Sequence, residues 1–263
     1  MPPRAEPVSS FAIPDSVFDL ARAHFAAAGR TLRNVRRDFH EWHLGRPHYA
    51  LWAIDVDLPA VRRLTEQAAV LLDDVLLDDY RRQPHITLAL CGFPTLQPTR
   101  PDDFGPAGLE RQLDTLQRFA GAPFRMEIGG LASFTSAPFL SVRDVDGGIG
   151  RLRHALCGPR SEPGGPYTPH VTVGLYDGEW PTAPLLERLD AGTQKVVHCT
   201  VTKLSLMCYA ASDIGGPLST LGQFDLAEGR WEDLDSRIFP APEASQTLPN
   251  FAATLKNTDQ SVT

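Results

Sequence analysis

Long apolar runs and paired cysteines are missing from this sequence. No stretch approaches the roughly 18 consecutive apolar residues of a membrane-spanning helix, so we expect none. The first residues, MPPRAEPVSSFAIPDS, lack the apolar segment of a secretory signal. No Cys-x-x-Cys pair occurs, which predicts ordinary core or strand cysteines and a reduced, cytoplasmic setting. The cysteines are Cys91, Cys157, Cys199 and Cys208.

An excess of basic residues is also missing. The chain has 25 Lys and Arg residues against 32 Asp and Glu residues, which gives a net charge of −7. Proteins that coat duplex nucleic acid usually carry a basic face, and this composition predicts none. A small anion or the end of a nucleic-acid strand needs only a local site, so these ligands stay open.

The sequence shows no familiar motif for metal or nucleotide binding. HEWH at residues 40–43 is not the HExxH zinc motif, and we see no cysteine or carboxylate partner at metal spacing for His40, His43 or His48. Short glycine turns such as GGPY (164–167) are too irregular for a phosphate-binding loop. We therefore expect neither a metal ion nor a cofactor.

One short pattern occurs twice. Residues 83–90 read QPHITLAL and residues 168–175 read TPHVTVGL, so Pro-His-(Ile/Val)-Thr is repeated. Each copy fits a strand, because proline is tolerated at a strand start and the following residues are largely apolar. On a strand, residues i and i+2 share a face. The histidine and the threonine of each copy are therefore expected on one face, with the apolar residues on the other.

The surrounding segments predict a repeated order of helices and strands. Periodicity and turn residues favour helices at 15–28, with Asp15 as N-cap and Gly29 as terminator, and at 60–76, 106–120, 148–156 and 184–190. They favour strands at 50–57, 85–91, 124–134, 138–146, 170–176, 196–210 and 222–231. RTLRNVRR (30–37) is interpreted as a solvated helix face, with attraction to a phosphate backbone as the alternative.

This order contains β-α-β-α-β twice, with the His-x-Thr pattern on the second strand of each unit. Asp55-Val56-Asp57 in the first unit resembles Asp144-Val145-Asp146 in the second. We therefore predict an α+β fold of two lobes related by a pseudo-two-fold axis. Each lobe would present its His-x-Thr strand to a shared central cleft.

Two facing His-x-Thr pairs suit acid–base chemistry at phosphorus. A histidine can take or give a proton near neutral pH, and a threonine hydroxyl can donate to a phosphate oxygen. In an in-line displacement, one oxygen attacks and the opposite one leaves, and each histidine can serve one of them. The alternative is a duplicated structural strand that keeps its histidines for packing.

At HITLALCG (85–92) and HVTVGLY (170–176) the sequence resembles the two-histidine (2H) phosphoesterase superfamily, and within it the bacterial 2′-5′ RNA ligase and RNA 2′,3′-cyclic phosphodiesterase family. The resemblance covers about residues 48–210. It implies metal-independent hydrolysis of 2′,3′-cyclic phosphates or 2′-5′ linkages at RNA or nucleotide ends. It also implies the catalytic residues, which are His85 as acid, His170 as base, and Thr87 and Thr172 as phosphate ligands; the two histidine roles can be exchanged because the lobes are nearly symmetric.

The sequence departs from that family at one position. Many members carry a basic residue five positions after the second histidine, where this chain has Leu175. Arg143 and Lys203 are the candidates for a replacement charge, although either also fits an ordinary solvated side chain. Phe93 and Tyr176, just beyond the two strands, are candidates for base stacking, as are Phe134 and Phe139 between the repeats; the core is the alternative for each aromatic residue.

The chain is accordingly divided into a helical extension (1–47), a bilobed phosphoesterase domain (48–235) and a flexible tail (236–263). We expect a monomer that acts on an RNA end or a small cyclic nucleotide, with 2′-5′ RNA ligation as an accompanying activity. The competing hypothesis is a module that binds a nucleotide or an RNA end without turnover.

Overall fold

The structure is a computed structural model that describes residues 16–118, 122–158, 167–192, 195–235 and 238–239. Its helices are α1 (Ser16–Ala28), α2 (His40–His43), α3 (Pro59–Leu71), α4 (Pro106–Arg118), α5 (Gly148–Cys157) and α6 (Thr182–Ala191). Its strands are β1 (His48–Asp55), β2 (His85–Pro94), β3 (Asp103–Phe104), β4 (Phe124–Ser133), β5 (Pro138–Asp144), β6 (His170–Thr172), β7 (Val196–Val201), β8 (Lys203–Ala210), β9 (Ser219–Asp225) and β10 (Arg230–Asp233).

The strands form two sheets, one for each lobe. The first sheet has the order β10-β9-β8-β1-β2-β3, and the second has the order β6-β5-β4-β7. In both sheets the His-x-Thr strand pairs antiparallel with the first strand of its own repeat, β2 with β1 and β6 with β5. The predicted α+β architecture of two duplicated lobes is therefore confirmed.

β4, the third strand of the first repeat, lies in the second sheet; of the segment predicted as the third strand of the second repeat, β7 lies in the second sheet and β8 lies in the first. β4 follows the first repeat along the chain but pairs with β5, and β8 follows the second repeat but pairs with β1. The prediction of one long strand at 196–210 was wrong, because the chain leaves the second sheet after Val201 and enters the first at Lys203. The apolar residues that face the core occupy odd positions before this point and even positions after it. Thr202 and Lys203, at the change, are both exposed.

The elements before β1 differ most from their prediction. Helix α1 ends before Gly29, whose φ of 69° suits a glycine terminator, whereas the proposed cap Asp15 lies outside the described residues. RTLRNVRR is not helical. Its backbone bonds instead to the second lobe, with Thr31 N–H donating to the Trp180 carbonyl at 2.9 Å and Asn34 N–H to the Tyr176 carbonyl at 2.8 Å.

Other boundaries shift by smaller amounts. The helix predicted at 60–76 ends at Leu71 and continues as a separate 3-10 turn, Asp73–Val75. The strand predicted at 222–231 is a hairpin of β9 and β10. The tail proposed for 236–263 lies outside the described residues except for 238–239.

The core lies on the inner faces of the two sheets. Ile86 and Leu88 on β2 are fully buried there, and so is Val171 on β6. The alternation along each strand consequently places the histidine and threonine on the opposite face. No helix among the described residues is long and apolar enough to cross a membrane.

The strand exchange predicts that the two lobes unfold together. Leu204→Ala on β8 should lower the free energy of unfolding by about 2–5 kcal/mol, because a fully buried side chain is replaced by a cavity. Val196→Ala on β7, where the side chain is 48% exposed, is the control and should change it by less than about 0.5 kcal/mol. Urea denaturation followed by fluorescence and circular dichroism measures both. Two separate transitions in the unmodified protein would contradict the shared-sheet account.

Candidate active site

The two His-x-Thr strands meet at the contact between the lobes. β2 and β6 lie against each other, and the segment after the 3-10 turn continues the contact, with Leu77 N–H donating to the Leu175 carbonyl at 2.7 Å. β6 ends at Thr172 and not at the predicted residue 176. One cleft of about 540 Å³ is lined by all four proposed catalytic residues, His85, Thr87, His170 and Thr172.

Both histidines are held in the same way. The Nδ1 atom of His85 lies 2.8 Å from the Gln83 carbonyl oxygen, and the Nδ1 atom of His170 lies 2.8 Å from the Thr168 carbonyl oxygen. A carbonyl oxygen only accepts hydrogen bonds, so Nδ1 carries the hydrogen in each ring. The neutral rings therefore keep an Nε2 lone pair that is available for a proton.

Burial keeps both histidine rings uncharged at neutral pH. The pKa of His85 is lowered from its usual 6.5 to about 4, chiefly by burial and to a smaller extent by the Arg82 guanidinium and the neighbouring His170 ring. Burial also lowers the pKa of His170. Each ring in the free protein is consequently neutral, and a nearby anion is needed to favour its protonated form.

The threonines of the two strands lie beside tyrosines. Tyr80 and Thr172 both line the cleft, and burial raises the pKa of Tyr80. On the other strand, Tyr167 donates its hydroxyl hydrogen to the Thr87 carbonyl oxygen at 2.7 Å. This bond ties β2 to the segment that leads into β6, and thus holds the two motifs together.

Arg82 places a positive charge in the cleft. Its Nε donates to the Gly216 carbonyl oxygen at 3.2 Å, and its guanidinium carbon lies 4.2 Å from the centre of the Tyr209 ring. A cationic residue is therefore present although Leu175 occupies the position where many relatives carry one. Arg82 was not predicted from sequence because it lies before the first motif, whereas the family's basic residue lies after the second.

Four of the substrate contacts expected from sequence, Arg143, Lys203, Phe93 and Tyr176, are not among the residues that line this cleft. Arg143 pairs with Glu127, its Nε lying 2.9 Å from the carboxylate, and it lines a different depression. Lys203 donates to the Gln223 side-chain oxygen at 3.4 Å on the first sheet. Phe93 is 1% exposed and Tyr176 is 0% exposed, so neither has an open ring face.

Of the other two aromatic candidates, Phe134 lines the cleft and Phe139 does not, and further aromatic side chains line it as well. The Phe134 ring lies edge-on to His170 at 4.9 Å between centroids, whereas Phe139 is fully buried behind it. Tyr209 lies under Arg82. Phe39 and Trp42 reach the cleft from the segment before β1 and were not anticipated, because nothing in their local sequence relates them to the motifs.

One cluster of potential metal ligands lies within the described residues. Asp38, His40 and His43 bring one ligand atom each within 4.8 Å of one another, so the expectation that these histidines lack a carboxylate partner was wrong. However, Gly45 N–H donates to His43 Nδ1 at 3.0 Å, and Nε2 lies 2.5 Å from Asp38 Oδ1. A neutral imidazole has one lone pair, which Gly45 takes, so Nε2 donates to Asp38 and is not available to a metal ion.

The family of the chain follows from its sequence. The model of the 2′-5′ RNA ligase superfamily matches residues 53–213, which is more than half of the 263 residues and includes both His-x-Thr strands. The chain therefore belongs to the 2′-5′ RNA ligase superfamily, whose members are 2H phosphoesterases. The family resemblance seen at the two motifs is confirmed.

Several solved structures match the chain at low identity. TT0787 of Thermus thermophilus is 18% identical over 68% of this chain and 98% of its own, with a TM-score of 0.44. E. coli LigT complexed with NADP+ is 19% identical over 69% of this chain and 99% of its own, with a TM-score of 0.42. LigT complexed with 3′-AMP is 18% identical over 69% and 98%, with a TM-score of 0.43. A search of curated proteins found no match.

The low pKa of His85 predicts a pH dependence of stability. The unfolded chain binds a proton near pH 6.5 and the folded ring only near pH 4, so the unfolded state holds more protons between these values. Stability should therefore fall as the pH falls, by about 2 kcal/mol between pH 7.5 and pH 5 from this group.

The variant His85→Asn isolates that contribution, because asparagine can still donate to the Gln83 carbonyl but does not titrate. Urea denaturation of both proteins at the two pH values gives the difference. Equal pH dependence in both proteins would show that His85 is not held uncharged.

Proposed function

We propose that this protein is a metal-independent phosphodiesterase that hydrolyses 2′,3′-cyclic phosphates or 2′-5′ linkages at RNA or nucleotide ends. The observation that carries the proposal is the matched pair of histidines. Each is anchored at Nδ1 by a carbonyl two residues earlier at 2.8 Å, and both line one cleft with Arg82. Membership of a superfamily of phosphoesterases supports the same reaction class.

The reaction needs one base and one acid on opposite sides of phosphorus. A water oxygen attacks phosphorus, its proton passes to Nε2 of the base, and the bond from phosphorus to the ribose oxygen breaks as the acid protonates that oxygen. Following the family resemblance, His170 is the base and His85 the acid. Thr87, Thr172 and Arg82 are suited to bind the phosphate oxygens by hydrogen bonds and charge.

The acid must hold a proton that the free site disfavours. Burial and Arg82 both lower the pKa of His85, so the empty cleft holds a neutral ring. A phosphodiester is an anion, and its charge next to Arg82 and His85 favours the imidazolium form. The substrate therefore supplies the electrostatic partner that makes His85 an acid.

In ligation, the 5′-hydroxyl of a second RNA end takes the place of water and attacks the 2′,3′-cyclic phosphate. The base accepts the hydroxyl proton, the bond from phosphorus to the 3′ oxygen breaks as the acid protonates that oxygen, and a 2′-5′ linkage remains. Hydrolysis and ligation therefore use the same two proton-transfer groups, so the site suits either. Because water is in large excess over RNA ends, hydrolysis prevails unless the bound complex excludes water.

The binding-module hypothesis rested on the missing basic residue at Leu175. Arg82 supplies a positive charge in the cleft, so the absence of a basic residue at position 175 no longer supports that hypothesis. Binding alone also has no need for two buried imidazoles with matching anchors. A purely structural duplicate predicts the opposite of the enzyme hypothesis, namely that replacing either histidine lowers stability and leaves activity unchanged.

The first test is hydrolysis of a short RNA ending in a 2′,3′-cyclic phosphate, in excess chelator. His85→Ala and His170→Ala should each lower the rate by about 10²–10⁴-fold, because each removes one proton-transfer group. Melting temperatures measured in parallel separate this loss from unfolding. Binding of the RNA end without turnover by the unmodified protein would favour the binding module, and activity lost to the chelator would contradict the metal-independent mechanism.

The two arginines offer a matched comparison. Arg82→Ala should lower kcat/KM by about 10²–10³-fold, since it removes a charged donor from the cleft. Arg143→Ala, which removes an exposed arginine paired with Glu127 outside the cleft, should change it by less than about two-fold. Steady-state kinetics with the same RNA measures both. An equal loss in the two variants would refute the role of Arg82.

A further inference from the structure

Residues 29–47, here called the arm, precede the region that the family model matches. The family match begins at residue 53, whereas Asn34, Phe39 and Trp42 of the arm line the same cleft as the two histidines. One wall of the cleft is therefore built by a segment outside the family region. The side chains of this wall therefore affect which substrates can bind in the cleft.

The arm is attached to the second lobe at its start. Leu32 N–H donates to the Thr135 carbonyl oxygen at 2.7 Å. The Asn34 side-chain amide donates to the Ser136 and Tyr176 carbonyl oxygens, each at 2.8 Å. These bonds hold the first part of the arm beside the loop that carries Phe134.

The arm then crosses to the first lobe. Arg36 donates to the carbonyl oxygens of Asp79 and Ile214, each at 3.1 Å. Farther along, the Arg46 guanidinium bonds to Asp102 and Asp103 at 2.8 Å. Attachment to both lobes makes the arm a fixed wall of the cleft.

The exposed part of this wall is aromatic. Trp42 is 41% exposed, and its ring is supported from behind by Phe93 at 5.0 Å and Tyr49 at 5.2 Å between centroids. Phe39 is half-buried and carries the Arg37 guanidinium 3.9 Å from its ring centre. The hydrogen bond between Asp38 and His43 joins the residue before Phe39 to the last residue of the short helix α2.

We propose that Phe39 and Trp42 bind the nucleobase of the substrate and make the site selective for nucleotide or RNA-end phosphates over phosphates without a base. This inference rests on the proposed function for the identity of the phosphate site. The cleft has cationic and hydrogen-bonding groups around Arg82 and the His-x-Thr pairs, and flat aromatic rings on the arm. A nucleotide has the same two parts, and ring stacking tolerates any base because every base has a π-face.

The test is isothermal titration calorimetry with adenosine 2′-monophosphate and with ribose 5-phosphate, which lacks the base. Trp42→Ala should weaken binding of the nucleotide by about 5- to 150-fold. Binding of ribose 5-phosphate should change by less than about two-fold, which also shows that the variant is folded. Trp42→Phe should retain part of the nucleotide affinity.

Trp180→Ala is the matched control, because Trp180 is 36% exposed and does not line the cleft. It should leave the affinity for both ligands within about two-fold of the unmodified protein. Equal affinity of the unmodified protein for the two ligands would overturn the proposal, as would an equal loss, or no loss, for both ligands in Trp42→Ala.

The binding measurement separates this inference from the proposed reaction. Base-selective binding that depends on Trp42, without hydrolysis of any cyclic phosphate, would refute the proposed reaction but support nucleobase binding by the arm. Equal hydrolysis of substrates with and without a nucleobase would support the proposed reaction but refute nucleobase selection by the arm.

Discussion

The exchange of strands between the two repeats is the constraint on which the rest of the structure depends. β4 completes the second sheet and β8 completes the first, so neither repeat has a full sheet of its own. Since each lobe needs hydrogen bonds from the other half of the chain, the lobes are fixed relative to each other. That fixed relation places β2 against β6 and gives the cleft its two histidines.

Within the cleft, burial and hydrogen bonding determine the protonation state of both histidines. Burial disfavours the charged form of both imidazoles, and the carbonyl bonds at Nδ1 leave Nε2 of each ring as the nitrogen with a free lone pair. Arg82 adds the positive charge that an anionic ligand needs, although it also makes His85 harder to protonate. The same arrangement that disfavours an imidazolium in the empty site therefore favours it once an anion is bound.

Prediction from sequence was most reliable where the signal was local and repeated. Ile86 and Leu88 are buried, as their alternation with His85 and Thr87 predicts. It was least reliable for contacts between distant segments. Arg143 looked close to the second motif because β5 neighbours β6, yet its pairing with Glu127 lies in another depression, whereas Arg82 enters the cleft from the segment before β2.

By itself, the sequence determined the repeated β-α-β-α-β order, the two His-x-Thr strands and the face that each histidine shares with its threonine, because strand alternation is a local property of the backbone. It also carried the family match over residues 53–213. Only the tertiary structure decided which sheet each third strand joins, which arginine reaches the cleft and that the arm forms one of its walls. Those outcomes depend on hydrogen bonds and ring contacts between residues far apart in the chain, and local periodicity contains no information about such pairings.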